Sequence, residues 1–114
     1  MSGSDACAPA MYRVFVDGSR IIDRDSFHDV FAQAFGFPSY YGRNMDAWID
    51  CITHLDTEDS SVRVTRGELV VLEISALDRL PAEIRSELLE CSAFVNGRRI
   101  QIGDPPILVV SERL

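Results

Sequence analysis

The chain has no lysine: its eleven basic residues are all arginine. Schiff-base formation and lysine-nucleophile catalysis are thereby excluded. Only three cysteines occur, Cys7, Cys51 and Cys91, with no C-x-x-C pair and no zinc-ligand spacing. Such a set suits a reducing cytoplasm better than a disulfide scaffold. No apolar run is long enough to cross a membrane, and "MSGSDACAPA" lacks the basic start and hydrophobic stretch of a signal peptide. Residues 1–10 are therefore expected to form a short flexible leader, and residues 11–114 one domain, with the cytoplasm as its place. Also missing are a nucleophile elbow, a phosphate-binding loop, and a histidine beside a serine or cysteine. No catalytic residue, cofactor or metal is expected.

What is present is acidic. Eighteen acids against eleven bases give a net charge of −7, which argues against direct nucleic-acid binding, where affinity rests on cations facing phosphate. A basic protein partner is compatible with it, because opposite net charge speeds encounter. Acidity that serves only solubility is at least as common.

The patterning alternates strand and helix. "YRVFV" (12–16) alternates and meets Asp17-Gly18, a strand and a turn. Ser26 with Asp29 resembles a capping box, and Phe27, Val30, Phe31, Ala34 and Phe35 then recur at helical spacing. Gly36 and Pro38 close that helix. A second helix opens in "YYGRNMDAWIDCI" (40–52), with Asn44 as N-cap. Residues 56–67 read as a loop. "ELVVLEI" (68–74) reads as a central strand covered on both faces. A short helical turn (75–80) and a longer helix follow, with Pro81 at the first helical position and an end between Asn96 and Ile100. Residues 107–110 form the last strand. Strands separated by helices imply an α/β layer fold with a small sheet and parallel pairing.

At about 100° per residue, the second helix places Met45, Trp48, Cys51, Ile52 and Leu55 on one arc. Asp46, Asp50, Thr53 and His54 fall on the other, with Ile49 at the border. Trp48 should thus be core, and Cys51 and Cys91 small buried hydrophobes. The plain reading of the polar arc is a solvated face: Asp46 meets the helix dipole, and Asp50 and His54 form an i, i+4 pair. On pattern alone that outweighs a site. A metal held by Asp46, Asp50 and His54 would need help from another segment such as His28, because the three span two turns.

The motif goes further. "FPSYYGRNMDAWIDCIT" resembles the signature of the barstar family, intracellular protein inhibitors of secreted ribonucleases. Pro38, Tyr40, Tyr41, Gly42, Asn44, Asp46, Ala47, Asp50, Cys51 and Thr53 stand in its positions. The resemblance implies a three-stranded parallel sheet packed by about four helices. It also implies a monomer that forms a 1:1 complex by plugging a basic nuclease cleft with the acidic helix and the loop before it. Carried over by position, Asp50 is the dominant acidic contact, Asp46 a second and Tyr40 an aromatic one. Gly42 meets the partner through its backbone or supports the turn, and Tyr41 and Asn44 are chiefly structural. Ile49 stands where the family has an aromatic, His54 replaces a glycine and Leu55 an aromatic. Arg43 stands where an acid is known, and Glu90 is the nearest candidate for an acid on the late helix. Two rivals remain: a relative of the fold reused to bind a non-nuclease partner or an unrelated toxin, and an enzyme or metal protein built on Asp46, Asp50 and His54.

Overall fold

The structure, a computed structural model, describes residues 11–57, 62, 64–65 and 67–113; the expected leader lies outside them, as does much of the expected 56–67 loop. Three strands, β1 (Met11–Asp17), β2 (Leu69–Ser75) and β3 (Leu108–Arg113), form one sheet in the order β1-β2-β3. Both pairings are parallel, with Val14 opposite Leu72 and Leu72 opposite Val110. Three α-helices connect them: α1 (Arg24–Phe35) and α2 (Met45–Thr53) between β1 and β2, and α3 (Ala82–Gln101) between β2 and β3. Two short 3₁₀ turns, Gly18–Arg20 and Leu77–Arg79, complete the order. The fold is the expected α/β layer with three helices where about four were anticipated.

The turn after β1 is fixed by sterics. A Cβ on Gly18 would lie 2.0 Å from the Ser75 carbonyl oxygen, so only glycine lets the two strand ends approach this closely. Helix α1 begins one turn earlier than the Ser26–Asp29 box implied. Asp23 is the N-cap: its carboxylate accepts from the Ser26 N–H at 2.8 Å, and Ser26 Oγ accepts from the Asp23 N–H at 3.0 Å. Ser26 is therefore the reciprocating third residue, not the cap, and Asp29 is left for another partner. Gly36 ends the helix in the left-handed region, φ 65°.

Strand β2 is central but not covered twice. Val70, Leu72 and Ile74 are buried, while the residues between them are only half-buried. On the outer face Phe15 and Val109 remain exposed. Partial cover comes from side chains of neighbouring strands: Arg13 reaches Glu73 at 3.4 Å, and the Arg113 guanidinium lies 5.1 Å from the Phe15 ring centre. An apolar run reads the same whether its second face meets a helix layer or cross-strand neighbours.

Helix α3 ends at Gln101, one residue past the expected span of Asn96 to Ile100. Within it Asn96 turns its amide to the start of β3, accepting from the N–H groups of Ile107 and Leu108 at 3.0 Å and donating to Leu108 O at 2.8 Å. Pro81 is the residue before the helix, not its first position. The core fills the space between sheet and helices. Phe27, Phe31 and Phe35 pack with Trp48, whose ring meets Phe31 edge-on at 5.7 Å. Trp48 is fully buried, and its indole Nε1 finds no acceptor among the described residues.

Candidate functional site

The acidic helix α2 is held at both ends by polar bonds that the motif supplies. Asn44 caps it: Oδ1 accepts from the Ala47 N–H at 2.8 Å, and Nδ2 donates to Gly42 O at 3.3 Å. Arg43, just before, sits at φ 56°. Its guanidinium turns back onto α1, donating to Asp29 Oδ1 at 2.6 Å and to Asp25 O at 3.2 Å, so this cation is engaged inside the molecule. Tyr41 runs the same way, its hydroxyl 2.6 Å from His28 Nδ1. Burial drives the Tyr41 phenol well above its usual range and drives His28 below the ordinary histidine value. The Arg43 charge lowers His28 further.

Phe37 stacks inward on Phe35, while Pro38, Ser39 and Tyr40 are exposed. Tyr40 is 85% exposed. A groove of about 420 Å³ runs between the 36–40 loop and α2, with Tyr40 on one bank and Asp50 and His54 on the other. Asp46 and Asp50 are both exposed, one helical turn apart. Glu90, on α3, is exposed as well, and it and Asp46 both act on the Cys91 thiol. Burial pushes the half-buried Cys91 thiol up, and Glu87, Glu90 and Asp46 push it the same way. Cys51, also half-buried, is raised by burial and then by Asp50.

Two expectations for the polar arc are corrected. Thr53 does not face outward: it is 6% exposed. Its hydroxyl donates to Ile49 O at 2.6 Å, and its own carbonyl accepts from Arg99 Nη1 at 2.7 Å. Helix α3 covers that edge, which helical phase alone does not reveal. His54 does not pair with the Asp50 side chain; its Nδ1 lies 2.8 Å from the Asp50 main-chain carbonyl. A carbonyl only accepts, so Nδ1 carries the proton and His54 serves as the C-terminal cap. Ile49 is half-buried at the edge of the core, as its border phase implied.

Sequence reasoning missed two arginines of α3. Arg98 brings Nη1 to 3.7 Å from Asp50 Oδ1. Arg99 is buried and grips the far end of α2, with Nη1 and Nη2 on the Asp56 carboxylate at 3.2 and 2.8 Å and Nε on Pro105 O at 3.0 Å. A run of two arginines reads as a solvated basic patch. The available signal was helical phase, since Arg99 continues the buried series Ile84, Leu88, Ser92 and Val95. Among the described residues, no three His, Cys, Asp or Glu side chains are grouped as a metal site requires.

A three-stranded parallel α/β domain with a short, capped acidic helix beside a groove, and an exposed aromatic at its lip, has the form of a protein-binding module. The comparisons agree. The family described as Barstar (barnase inhibitor) matches residues 11–103, and the chain belongs to that family. Over 43 residues it is 40% identical to "Putative ribonuclease inhibitor YrdF" of Bacillus subtilis (strain 168). That match spans 38% of this chain and 47% of the relative. None of the helices is long and apolar enough to cross a membrane among the described residues.

Proposed function

We propose that this protein inhibits a basic, secreted ribonuclease by filling its active-site cleft with α2 and the loop before it. It would act in the cytoplasm as a monomer in a 1:1 complex, an immunity protein for the RNA of its own cell. The observation that carries this reading is the exposed pair Asp46 and Asp50 on a helix capped at both ends, at the family's motif positions. Such a cleft is lined with cations arranged for phosphate. Carboxylates fixed on a helix occupy those places without offering a bond to cleave, and guanidinium–carboxylate pairs are charge-assisted and often bidentate. The caps at Asn44 and His54 mean little ordering remains to be done on binding. Tyr40 supplies aromatic surface, Gly42 close backbone approach, and Glu90 a more distant acid, with Ile49 and His54 at the margin.

The test is inhibition of a panel of secreted guanyl-type ribonucleases, barnase included, by wild type and by Asp50→Ala. Inhibition by the wild type, weakened at least ~30-fold in the variant and falling with salt, is the expected result. A folded wild type that inhibits no panel member overturns the reading. A second reading, a barstar-like module for a non-nuclease partner or an unrelated toxin, is favoured by one observation: the cation Arg98 lies against Asp50, where a purely basic cleft would have to sit.

A further inference from the structure

We propose that Arg98 sets partner choice by occupying Asp50 in the free protein, so that an incoming cation must displace it. The inference rests on the reading of α2 as the contact surface. Asp50 is the exposed acid at the centre of that surface, its side chain 69% exposed. Its ion-pair partner among the described residues is Arg98, one arm of which stands 3.7 Å from Oδ1. Oδ2 has no partner among them, and 3.7 Å is too long for a hydrogen bond. The occupant is therefore loosely seated, and a guanidinium able to take both carboxylate oxygens would outcompete it.

Arg98 is nonetheless placed rather than stray. It lies in the last turn of α3, where a cation is favoured by the helix dipole, and its guanidinium sits 5.9 Å from the centre of the Phe94 ring. Phe94 is more than half exposed. The ring holds the charge on the flank of α3 that faces α2. Once a partner cation takes Asp50, Arg98 is left as an unpaired positive charge at the rim of a positive cleft. Like charges brought together on binding are a recognised means of rejecting wrong partners. The surface thus presents acids at Asp46 and Glu90 and a cation at Arg98. It discriminates against a partner that offers only positive charge.

The test uses a hexa-arginine peptide as the purely cationic probe, with binding measured by calorimetry at low ionic strength. Four proteins are compared: wild type, Arg98→Gln, Asp50→Asn, and the double variant. Arg13→Gln serves as the control for a change of net charge, since Arg13 lies on the opposite, outer face of the sheet. Arg98→Gln should bind about two- to fivefold more tightly, the range a surface ion pair sets. The gain should exceed that of Arg13→Gln and vanish in the Asp50→Asn background. A gain equal to the control, a loss, a gain that survives without Asp50, or absence of binding throughout overturns the proposal. The cycle reads Arg98 whether or not any ribonuclease is inhibited. Failure here with a nuclease inhibited removes only this inference, and the reverse pattern removes only the nuclease.

Discussion

Arg99 Nη1 donates to the carbonyl of Thr53 at 2.7 Å, joining the last turn of α3 to the last residue of the acidic helix. The same guanidinium holds Asp56 through both oxygens, with Arg99 and Asp56 side chains only 5% and 12% exposed. Five N–H donors in one rigid plane make this possible for arginine alone. Arg99→Met should therefore destabilise the fold by about 3 kcal/mol, as expected when one member of a buried, hydrogen-bonded pair is removed. Arg99→Lys should recover little of it. Urea denaturation checks both. Stability within ~0.5 kcal/mol of wild type would mean the pair is not structural.

A pH dependence follows from His28. Its value in the folded protein is lowered, first by burial and then by Arg43, against opposing contributions from Asp25 and Glu87. Below the ordinary value of 6.5 the unfolded chain takes a proton that the folded protein refuses. Stability contributed by neutral His28 is thus complete above pH 6.5 and declines as pH falls toward the folded value. Asp17 and Asp23 are lowered as well, by hydrogen bonds from Ser19 and Ser26 respectively. Their contribution is present above 3.8 and fades only in stronger acid. Denaturation from pH 8 to pH 3 should show two separate declines. His28→Gln should erase the upper one and leave the lower.

Tyr41→Phe isolates the hydroxyl that meets His28 at 2.6 Å. Removing it leaves a buried ring nitrogen without its partner, an expected loss of about 1–2 kcal/mol. Binding should weaken as well if the 40–44 loop is thereby loosened. Chemical denaturation reads the first effect, and a change in stability below ~0.5 kcal/mol would contradict it.

Gly97 lies within α3, and a Cβ there would meet nothing within 4 Å. Nothing in the packing requires glycine, while glycine inside a helix weakens it. Gly97→Ala should raise stability by about 0.5–1 kcal/mol. Thermal denaturation measures it, and a loss would show that the position is constrained in a way the side-chain space does not reveal.

How far the sequence could be read depends on which interactions are local. Helices α1 and α2, the caps Gly36 and Asn44, and the burial of Trp48 follow from spacing and from residues a few positions apart. Some misses are local, such as the Asp23 cap and the bond of His54 to the Asp50 main chain; the others involve long-range neighbours. Thr53 is buried because α3 crosses over it, and Arg99 is buried because Asp56 and Thr53, some forty positions earlier, wait for it. The sequence leaves the helix end open from Asn96 to Ile100 because the β3 groups that satisfy the Asn96 amide are eleven and twelve positions away. The acidic face was legible in its motif, but its companion Arg98 was not, since no local pattern ties positions 50 and 98.

The two polar neighbours at the start of the acidic helix have separable roles. Asn44 Oδ1 satisfies the Ala47 N–H, and Asn44→Ala should cost about 1 kcal/mol of stability. A Cβ on Gly42 would meet Asn44 Nδ2 at 3.4 Å and Ala47 Cβ at 3.5 Å, ordinary van der Waals contact, and its φ is not positive. Gly42→Ala should therefore leave stability within ~0.5 kcal/mol of wild type. A methyl group at the lip of the contact surface should nevertheless weaken partner binding, because it holds the backbone away from the partner. Unchanged stability with weaker binding assigns Gly42 to the contact. Lost stability with unchanged binding per folded molecule assigns it to the turn.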